Sequence, residues 1–132
     1  MKEVLEKLSR QRDVERVHFV GGEPTTNQDL PELVRSVRED LGASAYLGHT
    51  NGSNFPPKGT NGMIVSLKAY TDAIHIDYTG ESNSNVLQNF VKAHRHGIEI
   101  AASSVFIPEY IAYEEIEKIA QFVADVDSTI PY

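Results

Sequence analysis

The chain contains no cysteine. That absence excludes a disulfide framework, a thiolate nucleophile and any cysteine-ligated metal or cluster. A basic surplus is lacking too: 12 Lys and Arg stand against 19 Asp and Glu, a formal net charge of −7. Nucleic acid and anionic membrane surfaces both select basic partners, so neither is expected. No stretch reaches the roughly 18–20 consecutive apolar residues of a membrane span. Residues 1–12 are charged and amphipathic, without the apolar h-region of a signal peptide, and a cytoplasmic location is expected.

What remains is ordinary globular material. With 132 residues, 40% of them hydrophobic and 23% charged, the sequence predicts a single domain over 1–132 with one core. Val4, Leu5 and Leu8 predict a short opening helix, and Val17–Val20 a strand. Leu30, Leu33, Val34, Val37 and Leu41 recur on one helical face, opened by Asp29 and Pro31 and closed by Gly42. Ala45–Leu47 and Met63–Leu67 read as strands. Val86, Leu87, Phe90 and Val91 form a second helical stripe, stopped at Gly97. Ile98–Ile107 reads as one long buried strand, and Ile116, Ile119, Ala120 and Val123 as the last helix. Alternating units of this kind predict an α/β fold with a parallel sheet and right-handed crossovers. Residues 51–62 are rich in turn formers and carry no helical pattern.

The stretch that points to function follows the first strand: Gly21-Gly22-Glu23-Pro24. Two glycines let the backbone turn tightly and bring its carbonyls close to a ligand. A carboxylate, which only accepts, comes next, and a proline then fixes the chain direction. Converging oxygen acceptors suit an ammonium group. Taken singly, this stretch also fits a plain turn, as does Thr50-Asn51-Gly52, and Ser66-Leu67-Lys68 fits the end of a buried strand with a solvated lysine.

Together and in this order, these residues resemble the radical S-adenosylmethionine (SAM) superfamily, in particular the activating enzymes of pyruvate formate-lyase and related archaeal proteins. The likeness continues through Ile74-His75, Tyr78–Asn83, Val86-Leu87 and the Ile107-Pro108 pair, and covers nearly everything from Arg16 onward. It implies a partial (βα)6 barrel with a mainly parallel, curved sheet of about four strands, lacking the first and last strands. It implies that carbonyls around Gly21 and Gly22, with Glu23 and the adjoining Pro24, receive the SAM ammonium. The Thr50-Asn51 turn would border the same pocket. Ser66 and Lys68 would lie near the methionine carboxylate and ribose, Ser103 near the sugar, and Val105 and Ile107 beside the adenine.

The sequence also departs from that family. Its C-x3-C-x2-C motif, which holds a four-iron, four-sulfur cluster, is absent. His49 and Ser66 stand where the activating enzymes often carry aspartate, so no cation site is expected there. The chain is therefore read as a partial enzyme domain, inactive alone. The alternative is a stand-alone binding or interaction module with a residual SAM pocket. Expected partners are a protein substrate, the remainder of the domain, or a second copy joined through exposed sheet edges. No metal site is expected: His94 and His96, at i and i+2, face different sides of a helix. His75 is expected in a structural hydrogen bond, His18 in the strand, and His49 at a turn beside the pocket. Glu114, Glu115 and Glu117 read as a solvated helix face.

Overall fold

A computed structural model describes residues 2–11 and 13–132; Met1, and the Leu5 side chain expected on the opening helix, lie outside the described residues. The chain order is α1 (Lys2–Ser9), β1 (Arg16–Phe19), a single 3-10 turn (Pro24–Thr26), α2 (Leu30–Glu39) and β2 (Ser44–Thr50). Then come β3 (Gly62–Ser66), α3 (Asp72–Thr79), α4 (Ser84–Arg95), β4 (Glu99–Ser103) and α5 (Tyr113–Val126). The four strands form one open sheet in the order β1-β2-β3-β4, with every neighbouring pair parallel.

One core decides which face of the sheet the helices cover. Leu30, Val34 and Val37 of α2, Val86, Phe90 and Ala93 of α4, and Ile119 and Val123 of α5 pack together with Ala45, Leu47, Met63, Val65, Ile100 and Ala102 of the strands. Strand side chains alternate between faces. The opposite face, helix-free among the described residues, therefore carries His18, Tyr46, Gly62, Ile64, Ser66, Ala101 and Ser103. The ends of α2 and α4 follow from glycine: Gly42 and Gly97 adopt positive φ, which lets Ala43 and Ile98 turn back to the Val37 and Ala93 carbonyls.

Three elements differ from the sequence reading. The long strand expected over Ile98–Ile107 ends at Ser103. Beyond it the chain turns, with a bridge between Ile107 and Ile111 and Glu109 at φ 67°, so Val105 stands 43% exposed outside the sheet. Pairing stops there because the partner strand β3 itself ends at Ser66, which is in register with Ser103. β2 runs to Thr50 rather than Leu47, which places His49 in the strand and not in a turn. Helix α3 has no counterpart in the periodic pattern of the sequence: Ile74, Ile76 and Tyr78 recur at every second position, and His75 is its buried side chain.

The two sheet edges also differ from each other. The Ala102 amide donates to the Pro131 carbonyl at 2.8 Å, and Ser104 Oγ lies 2.6 Å from the Tyr132 hydroxyl. The C-terminal tail thus lies along the outer side of β4. β1 pairs only with β2 and has no strand on its other side among the described residues.

Candidate functional site

The carboxyl ends of the four strands carry the candidate residues, and pairing brings most of them together. Glu23 is the hub. Its Oε1 accepts the Thr25 amide at 3.0 Å, the Thr25 hydroxyl at 2.6 Å and the Thr50 hydroxyl at 2.7 Å; its Oε2 accepts the Asn51 amide at 2.6 Å. The loop after β1 is thereby tied to the turn after β2. Burial works against ionisation of Glu23, but the bonds from Asn51, Thr25 and Thr50 outweigh it and hold the carboxyl below its ordinary range. Pro24 is buried in the first position of the 3-10 turn that Glu23 caps.

Thr50 pairs in register with Val65, and Ser66 with Ser103. The turn at Asn51 is made possible by Gly52, at φ 73°, where an added Cβ would sit 2.9 Å from Val65 Cγ1. Ser66 Oγ lies 3.3 Å from Ser103 Oγ, across the ends of β3 and β4. Leu67 continues the ladder by donating to the Ser103 carbonyl at 2.8 Å and is buried in the core. Alternation then puts Lys68 on the helix-free side with Ser66. Lys68 makes no ion pair among the described residues.

Gly21 and Gly22 are exposed, and a Cβ at either would meet no atom within 4 Å. Their carbonyls accept no hydrogen bond among the described residues. Two exposed residues with unpartnered carbonyls thus directly precede an ionised carboxylate in the chain, features a cationic amine can use. Val105 and Ile107, expected beside the adenine, lie past the end of β4.

Sequence reasoning missed three side-chain roles. Glu115 is buried, not solvated: it bonds Tyr70, Thr71 and Lys118. The signal was present, since Glu115, Ile119 and Val123 fall on one helical stripe. Asn83 donates to the Tyr70 carbonyl at 2.6 Å, and Thr25 completes the Glu23 cage. His75 makes the structural bond expected of it, with Nδ1 2.6 Å from the Glu81 carbonyl.

The sequence matches the radical SAM superfamily over residues 1–123. The chain belongs to the radical SAM superfamily. A protein of Methanocaldococcus jannaschii, provisionally named a glycyl-radical enzyme activating enzyme, is 30% identical over 141 residues, covering 98% of this chain and 54% of that protein. This radical SAM chain thus spans about half the length of the curated relative it matches. Among solved structures, a domain of pyruvate-formate lyase-activating enzyme from Bacteroides vulgatus superposes with a TM-score of 0.63 at 18% identity, over 89% of this chain and 74% of that one. Streptococcus suis SuiB, solved bound to precursor peptide SuiA, superposes with a TM-score of 0.73 at 19% identity, over 95% of this chain and 29% of that one. At such identities these two likenesses establish the fold, a four-stranded part of the radical SAM barrel. Among the described residues no helix is long and apolar enough to cross a membrane.

Intact radical SAM enzymes use SAM and a four-iron, four-sulfur cluster. The donor set here does not fit the cluster. There is no cysteine in the sequence, and the described residues hold no group of three or more His, Asp and Glu that could replace thiolates.

Proposed function

We propose that this chain binds S-adenosylmethionine at the carboxyl ends of β1–β4 and does not cleave it unaided. The observation that carries the reading is the pair of unpartnered carbonyls at Gly21 and Gly22 beside the ionised, fourfold-bonded Glu23. The ammonium of the methionine moiety sits on those carbonyls, with Glu23 supplying negative charge from behind. Lys68 and Ser66 take the carboxylate, Ser103 the ribose, and Val105 and Ile107 border the adenine. A sulfonium ligand bound in this way is held and oriented. Reductive cleavage requires an electron from a cluster whose thiolates this sequence does not contain.

The whole enzyme on this reading is an activase of glycyl-radical enzymes, in which a cysteine-bearing segment outside this sequence joins the site. A cytoplasmic location belongs to the same reading. The lack of cysteine equally supports a second reading, a non-catalytic module that retains the SAM pocket. A polypeptide that carries a C-x3-C-x2-C segment and restores SAM cleavage when mixed with this chain decides for the first.

The test of binding is an NMR titration. Without iron to chelate the amine and carboxylate, the dissociation constant is expected at about millimolar or weaker, roughly −4 kcal/mol. The Gly21, Gly22 and Lys68 amides should shift together. Shifts confined to another surface, or none at high SAM, overturn the reading.

A further inference from the structure

A buried carboxylate that none of the roles above uses bonds the segment that follows Lys68. Glu115, in the first turn of α5, is 3% exposed. Its Oε1 accepts the Tyr70 amide at 2.7 Å and the Thr71 amide at 2.5 Å. Its Oε2 accepts the Thr71 hydroxyl at 2.8 Å and a proton of Lys118 Nζ at 3.3 Å. Lys118 also donates to Thr71 Oγ1 at 2.9 Å. Burial opposes ionisation of Glu115, but the bonds from Thr71, Lys118 and Tyr70 outweigh it and keep the group charged at neutral pH.

The same short segment is gripped from its other side. Asn83, buried just before α4, sends Nδ2 to the Tyr70 carbonyl at 2.6 Å and to the Ala69 carbonyl at 3.3 Å. Asn83 is itself held, because its amide donates to Asp72 Oδ1 at 2.9 Å. Ahead of the segment, Leu67 is pinned to Ser103 at 2.8 Å. Lys68 is therefore the one residue between two fixed stretches, 67 on one side and 69–71 on the other. A lysine side chain is long and entropically costly to hold, so where its ammonium can go depends on how firmly its Cα is set.

We propose that Glu115 and Asn83 are positioning residues that fix the backbone around Lys68, and so give the site its preference for a ligand that bears a carboxylate. The inference rests on the SAM reading above. The ligand class is a nucleoside sulfonium with an amino-acid tail, and the property the clamp confers is recognition of the carboxyl end of that tail.

The experiment compares SAM with its decarboxylated analogue on the full chain, by calorimetry or NMR titration. The wild-type chain should bind SAM about fivefold more tightly than the analogue, the gain of one partly exposed ion pair. Lys68→Ala should abolish that ratio. Glu115→Gln and Asn83→Ala should bring it close to one while leaving the affinity for the analogue within about twofold of wild type. A clamp with a purely structural role would weaken both ligands alike and leave the ratio intact, and that result overturns the inference. If Glu115→Gln does not fold, Lys118→Met loosens the same carboxylate from an exposed position and must lower the ratio in the same direction; an unchanged ratio there overturns it too. Failure of the wild-type chain to bind either ligand sinks the SAM reading and the clamp with it. Discrimination by wild type that Lys68→Ala loses and both clamp variants keep sinks the clamp alone.

Discussion

The Tyr46 hydroxyl donates to Glu99 Oε2 at 2.7 Å, so a side chain of β2 reaches one of β4 across the width of β3. The ring passes over Gly62, where an added Cβ would lie 2.5 Å from Tyr46 Cε1 and 2.8 Å from the Glu99 carbonyl oxygen. His18 stacks on the same ring at 5.2 Å, and the Arg16 guanidinium stands 5.3 Å from its centre. These side chains occupy the amino-terminal end of the helix-free face. Glu23, Ser66 and Lys68 lie at or just past the carboxyl ends of the strands, at the other end of the sheet.

Gly62→Ala should destabilise the fold by about 1–3 kcal/mol, the usual effect of forcing a methyl into a filled space. Adding Tyr46→Ala removes the ring contact but leaves the contact with the Glu99 backbone, so recovery should be partial. Urea unfolding reads both. Full recovery in the double variant would show that the backbone contact costs nothing.

Stability should fall in acid, and Glu23 should account for part of the fall. Its folded pKa lies below the ordinary 4.5. A carboxyl depressed on folding stabilises the protein above its unfolded pKa and loses that contribution as pH drops through the folded value. Glu115, Asp72 and Asp127 shift in the same direction, so several groups share the slope. The difference between wild type and Glu23→Gln isolates one of them. That difference should be constant from neutral pH to about 4.5 and shrink below it. A difference that grows on acidification contradicts the depressed pKa.

Phe90→Ala should cost about 3–5 kcal/mol, because the ring is fully buried and packs 5.5 Å from Phe122, between α4 and α5. A loss below about 1 kcal/mol would mean that the two helices collapse to fill the space.

Self-association should run through β1. Its outer backbone has no strand partner among the described residues, whereas the tail bonds to Ala102 of β4. Light scattering over a concentration series should show a dimer of the whole chain. Deleting residues 129–132 frees a second edge, so larger assemblies should form and the Ala102 amide should exchange faster. A monodisperse monomer at high concentration, with and without the tail, argues against edge pairing.

Anaerobic treatment with iron and sulfide should leave this chain without the visible absorbance of an iron–sulfur cluster, because it supplies no thiolate. A stoichiometric, protein-bound cluster would require a ligand set of a different kind.

The turns that carry the candidate residues were legible before the fold was known, because turn chemistry is local. Gly21-Gly22-Glu23-Pro24 and Thr50-Asn51-Gly52 mark turns by residue type alone, and the apolar stripes of α2, α4 and α5 declare their buried faces. Helix α3 was not legible, since its apolar residues keep a period of two and its position is set by Glu115 and Asn83. The end of β4 was obscured for a related reason: an apolar run does not record where pairing stops.

Composition and local periods alone therefore determined the α/β class and the absence of cysteine ligands, because they persist whatever the chain packs against, while the family came from the resemblance of the ordered motifs. Only the tertiary structure decided what the charged groups do. Glu23 meets Thr50 and Asn51 across 27 and 28 residues, and Glu115 meets Thr71 across 44. A carboxylate in a loop or in a first helical turn carries no mark of a partner that distant. Strand pairing brings the Glu23 partners within reach, and the packing of α5 against the start of α3 buries Glu115.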